Sequence, residues 1–452
     1  MKLLYASVLF TFALAPGIFL ALRGPLRLVH PGLVLSCLYA LGYGVPCWMS
    51  LATGELLWTE GDVRWDWVPA GLVFASAFLV FLWCGFAMYS SRSRSMRWRG
   101  ESQPRPFGIR FSFFIAILAA FTFLLWWIGI HVFGYGTPLF SGVPRGIGQW
   151  EPHGTAYALN ITGHLGLLVL TCLSGCAYAV ERNKALWIAP LLFFILRFSC
   201  YSRGFMLGPA VFLLGFVLCR SRGLVWVPVI GVIAGLGFFL AAQIRSNIPA
   251  AQRLPLSVNQ VIETLLETTG KSALSGLSSS FYVADRGWGG EGIAGVVLRS
   301  LPIPSPLLSL VIGDMPPVTS LAHALGRGGK GAGFPVPLLG ELFMQIGWIG
   351  AAIGFVFGMW FGYVWRWIVE SMPGTYIRMW GTFFYMASLY CMIISFHGPL
   401  RGTTRSLLYA GLLYAFVKRA GGAGSRTIRI VRVRGTIPSG IRHRAPAFDT
   451  AE

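Results

Sequence analysis

The chain has 452 residues, of which 55% are hydrophobic and 12% charged, with a formal net charge of +20. Soluble domains run at roughly 45–50% apolar and about 25% charged residues, and a chain this poor in charge could not cover a soluble surface. The balance excludes a soluble globular enzyme and predicts an all-α integral membrane protein, with the bilayer as solvent for its apolar side chains. The excess of positive charge could suggest nucleic acid, but its location argues otherwise. Arg92, Arg94, Arg97, Arg99, Arg105 and Arg110 crowd one connection, and eight basic residues fill the tail from Lys418 to Arg444. Both places flank apolar segments, where the positive-inside rule puts Lys and Arg in the cytoplasm.

Apolar stretches long enough for about 30 Å of hydrocarbon recur along the chain. The first, Leu3 to Leu22, has no charged leader beyond Lys2 and no small-residue cleavage site, so it reads as a retained span. About eleven transmembrane helices are expected, near residues 3–22, 31–52, 67–89, 111–133, 156–179, 185–200, 204–219, 223–243, 338–364, 379–397 and 404–417. The two short segments around Arg203 also fit one re-entrant hairpin. This divides the chain into helices 1–8 over residues 1–243, a large extracytoplasmic loop over 244–337, helices 9–11 over 338–417 and a basic cytoplasmic tail over 418–452. Arg23, Arg27, Arg182, Lys184, Arg220 and Arg222 then share the cytoplasmic side with the six-arginine connection and the tail. The acidic segment Glu55 to Asp66, the Gly/Pro-rich segment Gly134 to Gly154 and the long loop share the other. The N-terminus is expected outside. The eight cysteines lie in or beside apolar segments without a CxxC spacing, and read as small core residues. No metal or cofactor is called for.

A connection of more than 90 residues is too long for a turn and is usually functional. Val258, Val261, Ile262, Leu265 and Leu266 recur at helical spacing, predicting an amphipathic helix over Val258 to Leu277, on the membrane or across the bundle. Gly326 to Gly333 carries Arg327 and Lys330 among glycines. It lacks P-loop spacing, but offers backbone N–H groups and two cations that suit a pyrophosphate as well as a plain linker.

Ionisable groups at the outer span ends are not explained by the positive-inside rule, and burial of each costs roughly 2.5–3.5 kcal/mol on insertion scales. Arg203, Arg245, Arg401 and Arg405 fall there. Each alone could snorkel to lipid phosphate; together, their permanent charge and bidentate geometry suit a diphosphate. Glu341, at the outer start of the ninth span, is a candidate general base, although a carboxylate at a helix N-terminus is also favoured by the macrodipole. His323 is the second candidate base.

Gly340-Glu341, followed by an aromatic and by Gly347-x-x-Gly350, resembles the hallmark of the Wzy-type O-antigen and exopolysaccharide repeat-unit polymerases. The Ser202-Arg203-Gly204 turn and the late Arg401-Gly402 are similar to that family too. The resemblance implies a GT-C-like bundle in the bacterial inner membrane and a metal-independent membrane glycosyltransferase. Such an enzyme moves a growing glycan from undecaprenyl diphosphate onto a new undecaprenyl-diphosphate-linked oligosaccharide at the periplasmic face. It further implies Arg203, Arg245 and Arg401 on the donor diphosphate, Arg327 and Arg405 on the acceptor's, and a chain-length regulator and a flippase as partners. The nearest alternative is an O-antigen ligase using the same donor. Glu60-Gly-Asp62 keeps open a metal-dependent transferase, and a flippase or transporter without chemistry is the alternative from another class.

Overall fold

The computed structural model describes residues 1–23, 26–58, 63–90, 109–134, 136–137, 139, 154–200, 206–220, 229–232, 266–287, 336–395 and 400–426. Among them the regular structure is all helical. In chain order the principal helices are α1 (Lys2–Arg23), α2 (Pro31–Thr53), α3 (Val68–Ser90), α4 (Ile109–His131), α5 (Gly154–Glu181), α6 (Ile188–Ser199), α7 (Leu207–Arg220), α8 (Ser272–Asp285), α9 (Leu338–Ile346), α10 (Ile353–Glu370), α11 (Tyr376–Ile394) and α12 (Leu400–Arg426).

Six helical stretches among the described residues are long and apolar enough to cross a membrane: α1 to α5, and the joined run Leu338–Glu370 that contains α9 and α10. The protein is membrane-embedded in character. α6 and α7, with 12 and 14 residues, extend only about 18 and 21 Å at 1.5 Å per residue, short of about 30 Å of hydrocarbon. Neither reaches that length by itself, where the sequence left open either two short spans or one re-entrant hairpin. α11 and α12 are long enough to cross but are not among the six. The span expected near 223–243 lies outside the described residues apart from 229–232.

Local chemistry explains the helix starts and breaks. His30 caps α2, its Nδ1 accepting from the Gly32 N–H at 3.0 Å, with Pro31 at the first helical position where its missing N–H costs nothing. A π turn at Ala40–Gly44 interrupts α2. The expected continuous span 338–364 is broken. Gly347, at φ 61° and ψ −146°, stops α9 in a conformation only glycine adopts readily, and a 3-10 turn over Gly347–Ala352 restarts the chain as α10.

The bundle packs closest where α10 meets α3. Gly354, Gly358 and Gly362 recur every four residues, and a Cβ on Gly358 would stand 2.0 Å from the Leu82 carbonyl oxygen. Gly85 returns the contact, with its missing Cβ 2.2 Å from the Phe355 carbonyl oxygen. Backbone therefore touches backbone, as in small-residue helix pairs within membranes.

The connections fall at two ends of the bundle. At one end Tyr376 donates to Glu181 at 3.0 Å, Ser112 donates to the same carboxylate, and Arg378 reaches the ends of α7 and α10. Arg23, Lys184 and Arg220 close helices or connections on this side, the basic end. The opposite end holds the Trp67 turn, α8 and the start of α9. All eight cysteines are free. Six are buried, but Cys37 and Cys84 are exposed on apolar helices rather than packed in the core.

Candidate functional site

α8 is the only part of the long loop that the structure describes as a full helix. It follows a π turn at Leu266–Lys271, so it overlaps the expected helix 258–277 only at its C-terminal end; residues 258–265 lie outside the described residues. Ten of its 14 residues are buried, among them Ser275, Ser278, Ser279 and Ser280. It lies across the bundle, packed on α3 and α9. Phe281 stacks on Phe343 of α9 with ring centroids 3.7 Å apart, and Phe74 and Trp348 close the cluster edge-on or tilted. Leu277 fits where Gly71 of α3 lacks a side chain, and Ser280 Oγ occupies the place of a Cβ on Gly340. The glycine before Glu341 thus lets a serine hydroxyl approach the backbone of α9.

Glu341 lies in the first turn of α9 and is 1% exposed. Its backbone N–H donates to the Pro337 carbonyl at 2.9 Å. The helix start itself is anchored to another connection, because the Leu338 N–H donates to the Ser395 carbonyl at 2.8 Å. Ser395 ends α11, and α12 begins five residues later at Leu400. Gln345, one turn beyond Glu341, is buried as well. A carboxylate and an amide therefore stand on one face of a short, interrupted helix, beside a serine-rich helix. The N-terminal position favours the negative charge by roughly 0.3–1 kcal/mol, less than burial of a charge costs.

The other expected site residues fare unequally. Arg203, Arg245, His323 and Arg327 lie outside the described residues, as does Glu60-Gly-Asp62. Arg401 and Arg405 fall within the first two turns of α12, so Arg401-Gly402 is helical rather than the turn expected there. α12 packs on α11, α5 and α9, which brings its opening turns to the end of the bundle that holds Glu341.

Sequence reasoning passed over Arg197. It is the only charged residue of α6, its guanidinium carbon lies 5.3 Å from the Phe193 ring centroid, and it acts electrostatically on Tyr390 of α11. Tyr390 precedes Ser395 by little more than one turn. A lone arginine in an apolar helix of 12 residues is the signal that could have found it. Among the described residues no group of three or more His, Cys, Asp or Glu is arranged to hold a metal ion. No family model, curated protein or solved structure matches the chain.

Proposed function

We propose that the protein is a polysaccharide polymerase of the bacterial inner membrane, transferring a growing glycan from undecaprenyl diphosphate to a new lipid-linked repeat unit at the periplasmic face. The observation that carries this reading is the buried Glu341, in the first turn of an interrupted helix that is tied through Ser395 to the connection leading into the Arg401 helix. The motif resemblance around Glu341 and the chain's membrane-embedded character support it. The reading includes a GT-C-like bundle of about eleven membrane segments.

In this mechanism a hydroxyl at the non-reducing end of the acceptor attacks the donor's anomeric carbon. The bond from that carbon to the diphosphate oxygen breaks, and its electron pair leaves with undecaprenyl diphosphate. Glu341 or His323 takes the hydroxyl proton. Arg203, Arg245 and Arg401 stabilise charge on the departing diphosphate, Arg327 and Arg405 hold the acceptor's, and Arg197 adds a cation beside α11. A preactivated lipid donor requires no nucleotide at this step.

The test is reconstitution of purified protein in liposomes with a synthetic undecaprenyl-diphosphate repeat unit. The wild type should give a ladder of multiples without added nucleotide or metal. Glu341→Gln should lower the rate by about 10²–10⁴, the range for loss of a general base, with the protein folded and still retaining lipid substrate. Folded wild type that gives no ladder on its native repeat unit would overturn the proposal. Polymer moved onto a lipid A-core acceptor instead would identify a ligase.

A further inference from the structure

At the end of the bundle opposite the basic one, successive turns of α11 each hold another helix. The Cys391 thiol and the Ser406 hydroxyl of α12 share a hydrogen bond at 2.8 Å, and both side chains are buried. One turn later the Ser395 carbonyl accepts the Leu338 N–H that starts α9. Cys391 and Ser395 are four residues apart and so lie on one face at the end of α11. α9 and α12 are therefore tied to neighbouring turns of the same helix, and they also pack on each other.

The two halves of α12 are held differently. Toward the basic end, rings fix it: Tyr414 lies 4.9 Å from Trp380 and 5.5 Å from Phe384 between centroids, and Phe416 stacks on Phe114 at 5.6 Å. The other half carries Arg401 and Arg405, and Arg405 immediately precedes Ser406. α12 is one continuous helix, so the ring cluster acts as a pivot and the opening turns as an arm. At 1.5 Å per residue Ser406 stands about 12 Å from Tyr414 and Arg401 about 20 Å. Play of about 1 Å at Ser406 thus becomes roughly 1.6 Å at Arg401. Leu407, Leu408, Leu412 and Leu413 offer apolar contact, which is non-directional, whereas a hydrogen bond demands one register.

We infer that Cys391 and Ser406 are positioning residues, whose hydrogen bond sets the register of α12 on α11 and so the placement of its arginine-bearing turns relative to Glu341. The register rests on packing; its bearing on catalysis rests on the polymerase reading, in which Arg401 serves the donor diphosphate and Arg405 the acceptor's. A carboxylate and arginines on separate helices keep a working geometry only while those helices share a reference, and the last turns of α11 supply it. Misplacement by about 1 Å far from the chemistry can cost about 10²-fold in rate, so the pair matters without touching substrate.

The test reads register and reaction separately. In full-length protein with the exposed Cys37 and Cys84 replaced by Ser, nitroxides are placed at Arg401→Cys and at Ile349→Cys, an exposed site in the turn after α9. Double electron–electron resonance then reports the span between α12 and α9. Ser406→Ala and Cys391→Ala should each broaden or displace that distance distribution, and the double variant should do no more than either single one. Cys391→Ser keeps a partner for Ser406 and should restore the wild-type distribution. Polymerisation in liposomes is measured on unlabelled variants, where Ser406→Ala should lower kcat/KM for the lipid-linked repeat unit at least about ten-fold, with Cys391→Ser near wild type. Distributions unchanged in both alanine variants would overturn the inference. A displaced α12 with wild-type kcat/KM, altered only in its unfolding midpoint, would overturn it too, leaving the pair a structural role. Displaced distances in a protein whose wild type makes no ladder would sink the polymerase and leave the register assignment standing.

Discussion

Arg378 shows how a single residue holds several chain ends together. Its side chain is 5% exposed. Nε donates to the Leu218 carbonyl at 3.0 Å, and Nη1 donates to the carbonyls of Ile368 at 2.9 Å and Ser371 at 3.4 Å. These carbonyls belong to the last turns of α7 and α10, which have no intrahelical donors left, and a cation there also complements the negative end of each helix dipole. Hydrogen bonds to a charged group contribute about 1.5–3 kcal/mol each, and an orphaned buried partner costs a similar amount. Arg378→Met, close in length but without donors, should therefore lower stability by at least about 3 kcal/mol, seen as a lower unfolding midpoint in detergent; Arg378→Lys should recover part. An unchanged midpoint for the Met variant would mean that water serves these carbonyls equally well. In the sequence Arg378 looks like one more basic residue flanking a span, because nothing local reveals that carbonyls from two other helices converge on it. Glu341 was legible, since a lone carboxylate beside glycine at a span start stands out. Arg197 was equally visible in composition, as a lone charge in one of the two short segments that flank Arg203.

At the scale of elements, the α3–α10 contact makes the most specific demand on sequence. Small residues every fourth position on α10 allow backbone approach, and the Leu82 carbonyl fills the place of the Gly358 side chain. Neither backbone can yield without moving a whole helix. Gly358→Val should cost about 1–3 kcal/mol, as overpacking of a core does, and should lower folded yield and the unfolding midpoint together. Gly411 of α12 has no neighbouring atom within 4 Å of where a Cβ would be, so Gly411→Ala should be silent in the same assay. Equal behaviour of the two variants would mean that the close approach is not what positions α10. The Gly354, Gly358 and Gly362 spacing is readable in the sequence as a small-residue face, but its partner is not, because α3 lies far away along the chain. The break at Gly347 is a subtler case. Hydropathy runs unbroken from Leu338 to Glu370 and predicts one helix, while two glycines three residues apart are the only local sign that the chain turns there. That turn directs Phe343 and Trp348 onto Phe74 and Phe281, and so seats α9 on α8.

Over the whole molecule, charge and packing divide the protein into unlike ends, and this division was largely legible from alternating hydropathy and the arginine-rich connections. In the middle of the chain hydropathy left two readings open, two short spans or one re-entrant hairpin, and α6 and α7 are each shorter than a full crossing. The charge asymmetry predicts a membrane orientation. Lys and Arg beside spans are retained in the cytoplasm, so the end with Arg23, Lys184 and Arg220 should face inward, and the end with Glu341, Arg64 and Arg286 outward. Glu55 and Lys184 are both exposed and lie at opposite ends, which makes them suitable reporters. With a membrane-impermeant charged maleimide on intact cells, Glu55→Cys should label at once, and Lys184→Cys only after permeabilisation. The native cysteines should stay silent, because six are buried and Cys37 and Cys84 lie on apolar helix faces that a charged reagent in water does not reach. The reverse labelling pattern would leave the packing of the bundle intact but turn Glu341 toward the cytoplasm. A lipid diphosphate presented at the outer leaflet could not then reach it, and the proposed polymerase would be excluded by topology alone.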